Sequence, residues 1–225
     1  MSLDDRFKKE YLEIAMQIEK NPRPQFIKRL FEMADEEFHP AIHTISVCFE
    51  RGIGLKQDQQ AAFDYCIAAA RLKNPAATHN MGCNYFAGNF VEKDTNKALA
   101  CFVAAARLGY VMSGHCVGFI YDNGTNEIQK NGNEARKSYE WAYRNGYAQS
   151  ANNLGVFHIN GRHTTPNVAT AEGWFRKAIQ SGDSAARKNM MKLEDLKRNN
   201  PTSNLSQIKT YAKLFLSDNP FDFLV

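Results

Sequence analysis

Residues 77–110, ATHNMGCNYFAGNFVEKDTNKALACFVAAARLGY, decide the fold because most of the chain can be aligned as imperfect copies of them. Apolar residues recur at every third or fourth position in two runs, which predicts two helices joined by a loop. The first helix ends at Gly88, and the second begins after Asp94 and ends at Gly109. A lone helical hairpin cannot bury both of its apolar faces, so we expect it to stack on neighbouring hairpins. The side chains predicted to face the core are Ala77, Met81, Asn84, Tyr85, Ala98, Phe102 and Ala105.

Four hairpins of this kind follow one another at a constant period, and each consists of an A helix and a B helix. Small residues on the A helices are 36, 36 and 37 residues apart, and alanines on the B helices keep nearly the same spacing. Glycines end the A helices, where a left-handed residue is needed, and Asp or Asn residues precede the B helices as N-caps. The four series are Ser46, Gly82, Gly118 and Gly155; Ala62, Ala98, Ala135 and Ala171; Gly52, Gly88, Gly124 and Gly161; and Asp58, Asp94, Asn131 and Asn167.

The segments that flank the repeats predict caps. Residues 1–38 contain two amphipathic helices, residues 39–183 hold the four repeats, and residues 184–217 contain a charged helix followed by an amphipathic one. The last eight residues, 218–225, form an apolar tail. Terminal repeats need polar outer faces to stay soluble, so we expect the flanking segments to cap the array. With these caps, residues 1–225 are predicted to form a single helical-repeat domain.

The C-terminal end leaves one alternative open. Asn204 and Gln207 predict a capping box at the start of a helix over residues 205–215. The tail after this helix either folds back over the last repeat, which is the more common fate of an apolar terminus, or serves as a docking peptide.

Composition and charge restrict the functional classes. The 28 Lys and Arg residues exceed the 24 Asp and Glu residues by only four and are scattered, which argues against nucleic acid and membrane partners. The N-terminus is charged and amphipathic, unlike a signal peptide, and no stretch of 18 apolar residues occurs, so we expect a cytoplasmic protein. The five cysteines lack metal-binding spacing and are predicted to be reduced and mostly buried.

Over about residues 25–195 the repeats resemble the Sel-one-like repeats, a branch of the tetratricopeptide-like solenoids. The third repeat departs from the family pattern, because the stretch from Gly124 to Asn131 is one residue longer than in the second repeat and has no valine before the N-cap. The resemblance implies an all-α, right-handed superhelix of about four to five helical hairpins with capping helices at both ends. The residues of the second repeat that match the pattern are Ala77, Met81, Gly82, Tyr85, Gly88, Val91, Asp94, Lys97, Ala98, Ala105, Ala106 and Gly109.

The resemblance also implies a function, since such proteins are adaptors and scaffolds, very few are catalysts, and their A helices line a concave groove. At 100° per residue, one column on each A helix lies opposite the predicted core face. Phe86 and Phe119 in this column are apolar and need a second burial partner. The alternative is that neighbouring A helices use the column to pack on each other. The predicted partner-binding residues are His43, Val47, Glu50, His79, Cys83, Phe86, His115, Phe119, Asp122, Asn152, Val156 and Ile159.

Three histidines recur at one position of this column, namely His43, His79 and His115, and raise the question of a metal site. Packed helices lie about 8–10 Å apart, whereas zinc requires its nitrogen ligands within about 2.1 Å. We therefore expect neither a metal nor any other cofactor. Because the chain also lacks a catalytic motif with defensible spacing, we expect a protein that is not an enzyme.

These observations favour a non-catalytic adaptor that binds a peptide or protein partner. The alternative is a bacterial effector or a toxin-neutralising immunity protein that uses the same surface, and the remote alternative is a metal-dependent enzyme. Self-association is also open, because the B helices of the first two repeats carry an apolar flank that either the N-terminal helices cover or a second copy contacts. The flank residues are Phe63, Ile67, Leu99 and Val103.

Overall fold

The structure, a computed structural model, describes residues 3–161, 165–199, 215 and 217–222, without the side chains of residues 3–6 and 199. Within these ranges the regular structure consists of eleven α-helices and no β-strand, which confirms the predicted all-α class. None of the described helices is both long and apolar enough to span a membrane. The helices are α1 (Leu3–Ile18), α2 (Pro24–Asp35), α3 (His39–Arg51), α4 (Gln59–Arg71), α5 (Pro75–Ala87), α6 (Thr95–Arg107), α7 (Val111–Asn123), α8 (Gly132–Arg144), α9 (Gln149–Asn160), α10 (Val168–Gln180) and α11 (Ser184–Asn199).

The helices belong to two compact units, Met1–Tyr110 and Val111–Val225, which we call the N-terminal and the C-terminal unit. The N-terminal unit contains α1 to α6, and the C-terminal unit contains α7 to α11. Each unit contains two repeats, whose A helices are α3, α5, α7 and α9 and whose B helices are α4, α6, α8 and α10. That residues 1–225 form a single domain stays a prediction.

The ends of the helices follow the sequence signals. Each B helix begins after an Asp or Asn whose side-chain oxygen accepts a hydrogen bond from the backbone N–H three residues on. Gly88 follows α5 in the left-handed region, at φ 84°, and its N–H donates to the carbonyl of Asn84. Gly52 and Gly161 follow α3 and α9 in the same way. The predicted N-caps and helix-ending glycines are therefore confirmed at these positions.

The small residues of the A helices pack against aromatic rings of the B helix in the same repeat. A Cβ atom added at Gly82 would lie 2.7 Å from Cε1 of Phe102, and one at Gly118 would lie 2.6 Å from Cδ1 of Tyr139. Phe102 and Tyr139 are both fully buried, so these rings have no room to retreat. The lack of a side chain at these glycines thus lets the two helices of a hairpin approach closely.

The first repeat solves the same packing problem with different residues. Ser46 occupies the position of Gly82, and Cys66 occupies that of Phe102. The Ser46 hydroxyl donates a 2.7 Å hydrogen bond to the carbonyl of Ala62, and both Ser46 and Cys66 are buried. A larger residue on the A helix is therefore matched by a smaller one on the B helix, which keeps the total volume similar.

The longer loop of the third repeat closes on itself. The Thr125 hydroxyl accepts hydrogen bonds from the backbone N–H groups of Glu127 and Ile128, and the Thr125 N–H donates to the Ile128 carbonyl. Ile128 is buried and lies three residues before the N-cap Asn131, as Val91 lies three residues before Asp94. Ile128 thus supplies the apolar side chain in place of the missing valine.

The flanking helices that lie within the described residues, α1, α2 and α11, form as predicted. In the N-terminal unit α1 packs Phe7, Ile14 and Ile18 into a core shared with α2 and α3. Arg29 of α2 donates hydrogen bonds to both carboxylate oxygens of Glu10 in α1. The helix predicted over residues 205–215, with its capping box, falls outside the described residues except for Phe215.

The apolar flank of the B helices is only partly exposed. Phe63 is buried and stacks on Phe90 of the α5–α6 loop at a ring centroid distance of 5.3 Å. Phe90, which follows Phe63 by 27 positions, therefore covers the first flank residue. Self-association through this flank stays a prediction.

Candidate partner-binding site

In the C-terminal unit, residues 217–222 lie against the A helices α7 and α9, and we call them the C-terminal segment. Its contacts reach Asn152 and Asn153 of α9 and Phe119 of α7. The prediction that the tail folds back is therefore confirmed for the described residues, and it covers the A helices of the third and fourth repeats. The segment occupies the face on which the predicted binding column of these repeats lies.

Asn153 holds the backbone of the segment through two hydrogen bonds. Its Nδ2 donates to the Asp218 carbonyl at 2.9 Å, and its Oδ1 accepts from the Asp218 N–H at 2.7 Å. The same Nδ2 lies 3.4 Å from the Tyr139 hydroxyl and 3.5 Å from Nε2 of His115. Because these neighbours restrict the amide, Asn153 is preorganised to pair with both polar groups of one extended residue.

Asn152 contacts the side chain of the same aspartate. Its Nδ2 donates to Oδ2 of Asp218 at 3.0 Å, and its Oδ1 accepts a 2.8 Å hydrogen bond from Asn189 of α11. The bond from Asn189 turns the amide so that its NH₂ group faces the carboxylate. Burial, reinforced by the negative charges of Asp183 and Asp222, raises the pKa of Asp218 to about 6.

His115 lies beneath the segment and is only 1% exposed. Its Nδ1 is 2.9 Å from the Ser150 hydroxyl, and its ring packs against Tyr139 and Tyr147. Burial lowers the pKa of His115 to about 4, although a hydrogen bond to the Asp218 backbone opposes this shift. His115 is therefore neutral at physiological pH and forms the polar, buried base of the site.

An aromatic contact completes the site. Phe221 is buried and meets Phe119 of α7 edge-on, with ring centroids 5.8 Å apart. Asn219 shapes the turn before this residue, because its Oδ1 accepts from the Phe221 N–H and its Nδ2 donates to Oδ1 of Asp222. The second burial partner that the sequence requires for Phe119 is therefore Phe221.

The other predicted residues of the C-terminal unit are buried. Asp122 is 4% exposed, and Val156 and Ile159 pack in the core with Phe175. The expectation that Val156 and Ile159 face away from the core is wrong, because α9 packs against other parts of the unit as well as against its own B helix. Their role in binding a partner stays a prediction.

In the N-terminal unit, the expectation that His79 and Cys83 face away from the core is also wrong. The His79 ring lies between Phe102 and Tyr110, with centroid distances of 5.3 and 4.7 Å. Burial lowers the pKa of His79 to about 4 and raises that of the Cys83 thiol to about 12. Although Cys83 Sγ is 3.5 Å from His79 Nε2, both groups are held neutral, which is the reverse of an activated thiolate–imidazolium pair.

The remaining predicted residues of this unit are more accessible. Glu50 is exposed, and Val47 and Phe86 are half-buried, with the ammonium of Lys93 above the Phe86 ring. His43 is half-buried and approaches Nδ2 of Asn80 at 3.4 Å, so it joins α3 to α5.

The histidine column connects neighbouring A helices within each unit, as His43 does in the first and His115 in the second. This matches the alternative in which A helices use the column to pack on each other. Among the described residues, no group of three His, Cys, Asp or Glu side chains is arranged to hold a metal ion.

Sequence reasoning missed three residues that build the site, namely Asn153, Asn189 and Asp218. Asn153 and Asn189 are almost completely buried. Buried amides in apolar helices require partners, and the adjacent pair Asn152-Asn153 in the apolar run of α9 was the available signal. Their shared partner, Asp218, could not be identified from the sequence, because it lies 66 residues after Asn152 and 65 after Asn153.

Solved structures share this fold. A Sel1 repeat protein from Oxalobacter formigenes is 23% identical with a TM-score of 0.71, and the match covers 92% of this chain and 83% of that one. The antigen c5321 of uropathogenic Escherichia coli, which displays an SLR fold, is 25% identical with a TM-score of 0.71 over 96% of this chain, which spans 47% of the antigen. Immunity protein PA5088 from Pseudomonas aeruginosa is 19% identical with a TM-score of 0.52, covering 100% and 82% of the two chains.

No curated protein sequence matches this chain. The model of the Sel1 repeat matches residues 40–74, 75–110, 117–147 and 148–183. These matches fall within the range 39–183 predicted for the four repeats and cover more than half of the chain. The helical hairpins, their caps and these matches agree, and the chain belongs to the Sel1 repeat family.

Proposed function

We propose that this chain is a non-catalytic scaffold that binds an extended segment of a protein partner on the A-helix face of its C-terminal unit. The observation that supports this proposal is the paired hydrogen bonding of Asn153 to the N–H and carbonyl of Asp218. A carboxamide that pairs with a backbone in this way recognises an extended chain whatever its side chains are. Phe119 beside it offers an apolar contact that adds affinity.

The family supports the same reading, since Sel1 repeats typically form interaction scaffolds rather than active sites. The neutral state of His79 and Cys83 agrees with a structural role for this pair. Binding energy on such a face comes from a few buried anchors, so single substitutions should have large effects.

The test is capture of partners by the purified chain, followed by mass spectrometry, with Phe119→Asp as the disrupting variant. Met191→Asp is the matched control, because Met191 is an exposed apolar residue of α11 in the same unit. We expect Phe119→Asp to lose the partners that the wild type and Met191→Asp retain, with unchanged helical circular dichroism. Equal capture by all three proteins would contradict the proposal.

The alternative of a bacterial effector or toxin-neutralising immunity protein uses the same surface and stays a prediction. The likeness to PA5088 at 19% identity is a likeness of fold. A toxin gene beside the gene for this chain would favour the alternative, and a housekeeping operon would count against it. The cytoplasmic location and the absence of nucleic acid and membrane partners also remain predictions.

A further inference from the structure

We propose that the C-terminal segment is a built-in competitor for the site, and that the partner carries an acidic residue followed three positions later by phenylalanine. This inference rests on the proposed function, because it names the ligand of the same site. The spacing is that between Asp218 and Phe221, the two residues of the segment that reach Asn152 and Phe119.

The contacts of the segment are those of a ligand. Its backbone is held at one residue by Asn153, its carboxylate by Asn152 and its aromatic ring by Phe119. Ser217, Asn219 and Asp222 are exposed, whereas Asp218 is half-buried and Pro220 and Phe221 are buried, so only part of the segment faces the helices. An extended peptide on a helical surface is read in the same way, through its main chain and a few anchor side chains.

Among charged side chains, the site favours a carboxylate over a Lys or Arg at the first anchor because of how Asn152 is oriented. Its Oδ1 accepts a hydrogen bond from Asn189, and its NH₂ group faces the carboxylate of Asp218. This group can donate to a carboxylate or to another oxygen acceptor. A Lys or Arg at the same position would bring its own N–H donors against the NH₂ group of Asn152, which has no acceptor to offer them.

The second anchor is set by the turn between the two. Asn219 caps this turn by accepting from the Phe221 N–H, and Pro220 restricts the backbone before Phe221. Both features reduce the conformational entropy lost when the ring is placed on Phe119. A partner with the same spacing would reach both anchors only after the segment has left.

Competition in cis lowers the apparent affinity for an outside peptide by the fraction of time in which the site is open. Weakening the segment should therefore tighten binding without any change in the site. This distinguishes a built-in competitor from a segment that only completes the core.

The experiment measures the binding of a fluorescent peptide, SDNPFD (residues 217–222), to the full chain by anisotropy at pH 7.5. The proteins are the wild type, the opened variant Asp218→Ala/Phe221→Ala, and the opened variant with Asn153→Ala added. The matched control adds Asn133→Ala to the opened variant, because Asn133 is an exposed asparagine on α8. We expect the opened variant and its control to bind at least tenfold more tightly than the wild type, and the Asn153→Ala form to lose binding.

Two further variants keep the test decisive if a substitution disturbs folding, which circular dichroism at 222 nm would report. Phe221→Ser alone opens the site at one anchor, and Phe119→Ala removes the aromatic contact from the site instead of from the segment. A peptide with Lys in place of the aspartate or Ala in place of the phenylalanine should bind at least tenfold more weakly than SDNPFD.

The inference is overturned if the folded opened variant binds SDNPFD no better than the wild type does. If the wild type forms dimers that the Phe221→Ser substitution dissociates, the segment binds a second copy of the chain, and this result would also overturn the inference. If the opened variant does not bind SDNPFD but captures a partner that Phe119→Asp loses, the inferred ligand sequence is wrong while the proposed function stands. If neither the peptide nor a partner binds, both fail.

Discussion

Gly155 and Gly173 provide a matched pair of glycines in which the same substitution should have opposite effects. Both lie in the interior of a helix of the C-terminal unit, Gly155 in α9 and Gly173 in α10. A Cβ atom at Gly155 would come closer than 3.0 Å to the ring of Phe175, whereas a Cβ atom at Gly173 would meet nothing within 4 Å.

The magnitude follows from two contributions. Replacing a glycine in a helix interior by alanine stabilises the helix by about 1 kcal/mol, and this applies to both sites. Overpacking a rigid core costs about 1–3 kcal/mol and applies only at Gly155, because the Phe175 ring is fully buried. We expect Gly173→Ala to raise the free energy of unfolding by up to about 1 kcal/mol. Gly155→Ala should lower it by up to about 2 kcal/mol.

The assay is urea unfolding at pH 7.5, followed by circular dichroism at 222 nm, for the wild type and both variants. The difference between the variants cancels the helix propensity and measures the overpacking alone. Phe175→Leu added to Gly155→Ala should recover part of the loss, because the smaller side chain leaves room for the new methyl group. Equal stabilisation by the two alanines would refute the packing of glycine against the aromatic ring.

Four other predictions concern single side chains. The folded pKa of His79, about 4, lies below the usual 6.5, so the unfolded chain binds more protons between these values and stability falls as pH drops through this window. The free energy of unfolding, measured by urea titration, falls between pH 7 and pH 5, and His79→Gln should make this fall smaller by about 2 kcal/mol. Asp94→Ala should cost about 1 kcal/mol in the same assay by removing the N-cap of α6. In the folded chain a thiol reagent at pH 8 should modify half-buried Cys101 before buried Cys83, as read by peptide mass spectrometry. Because Asp218 has its pKa raised to about 6 when docked, SDNPFD should bind the opened variant about fourfold more tightly at pH 5.5 than at pH 7.5, relative to a peptide with Asn in place of Asp218. The Asn peptide cancels the titration of His115, so an equal response of the two peptides would contradict this last expectation.

The helices and their order could be predicted because their signals are local. Asp94 caps α6 from the adjacent residue, and Gly88 ends α5 where the chain turns left-handed. The period of about 36 residues then carries these assignments through four repeats. The third loop was the exception, since the role of Ile128 becomes visible only by counting back from its N-cap.

The orientation of the A helices could not be predicted in the same way. Assigning one core arc at 100° per residue assumes a helix that is buried on one face. In α9, however, nine of the twelve residues are buried, because the helix packs on its B helix and also lies beneath the C-terminal segment. His79 was misplaced for a similar reason, since Tyr110 covers it from beyond the end of α6.

The first repeat has Ser46 and Cys66 at the positions that Gly82 and Phe102 occupy in the second, and this difference has a consequence for how such an array changes length. The volumes are matched between the two helices of one hairpin, so a break inside a hairpin would pair Ser46 with an aromatic ring or a glycine with a cysteine. The first combination would clash and the second would leave a cavity. Gene duplication or deletion should therefore be tolerated when its endpoints fall between a B helix and the next A helix, and the natural unit of recombination in this chain is the intact hairpin.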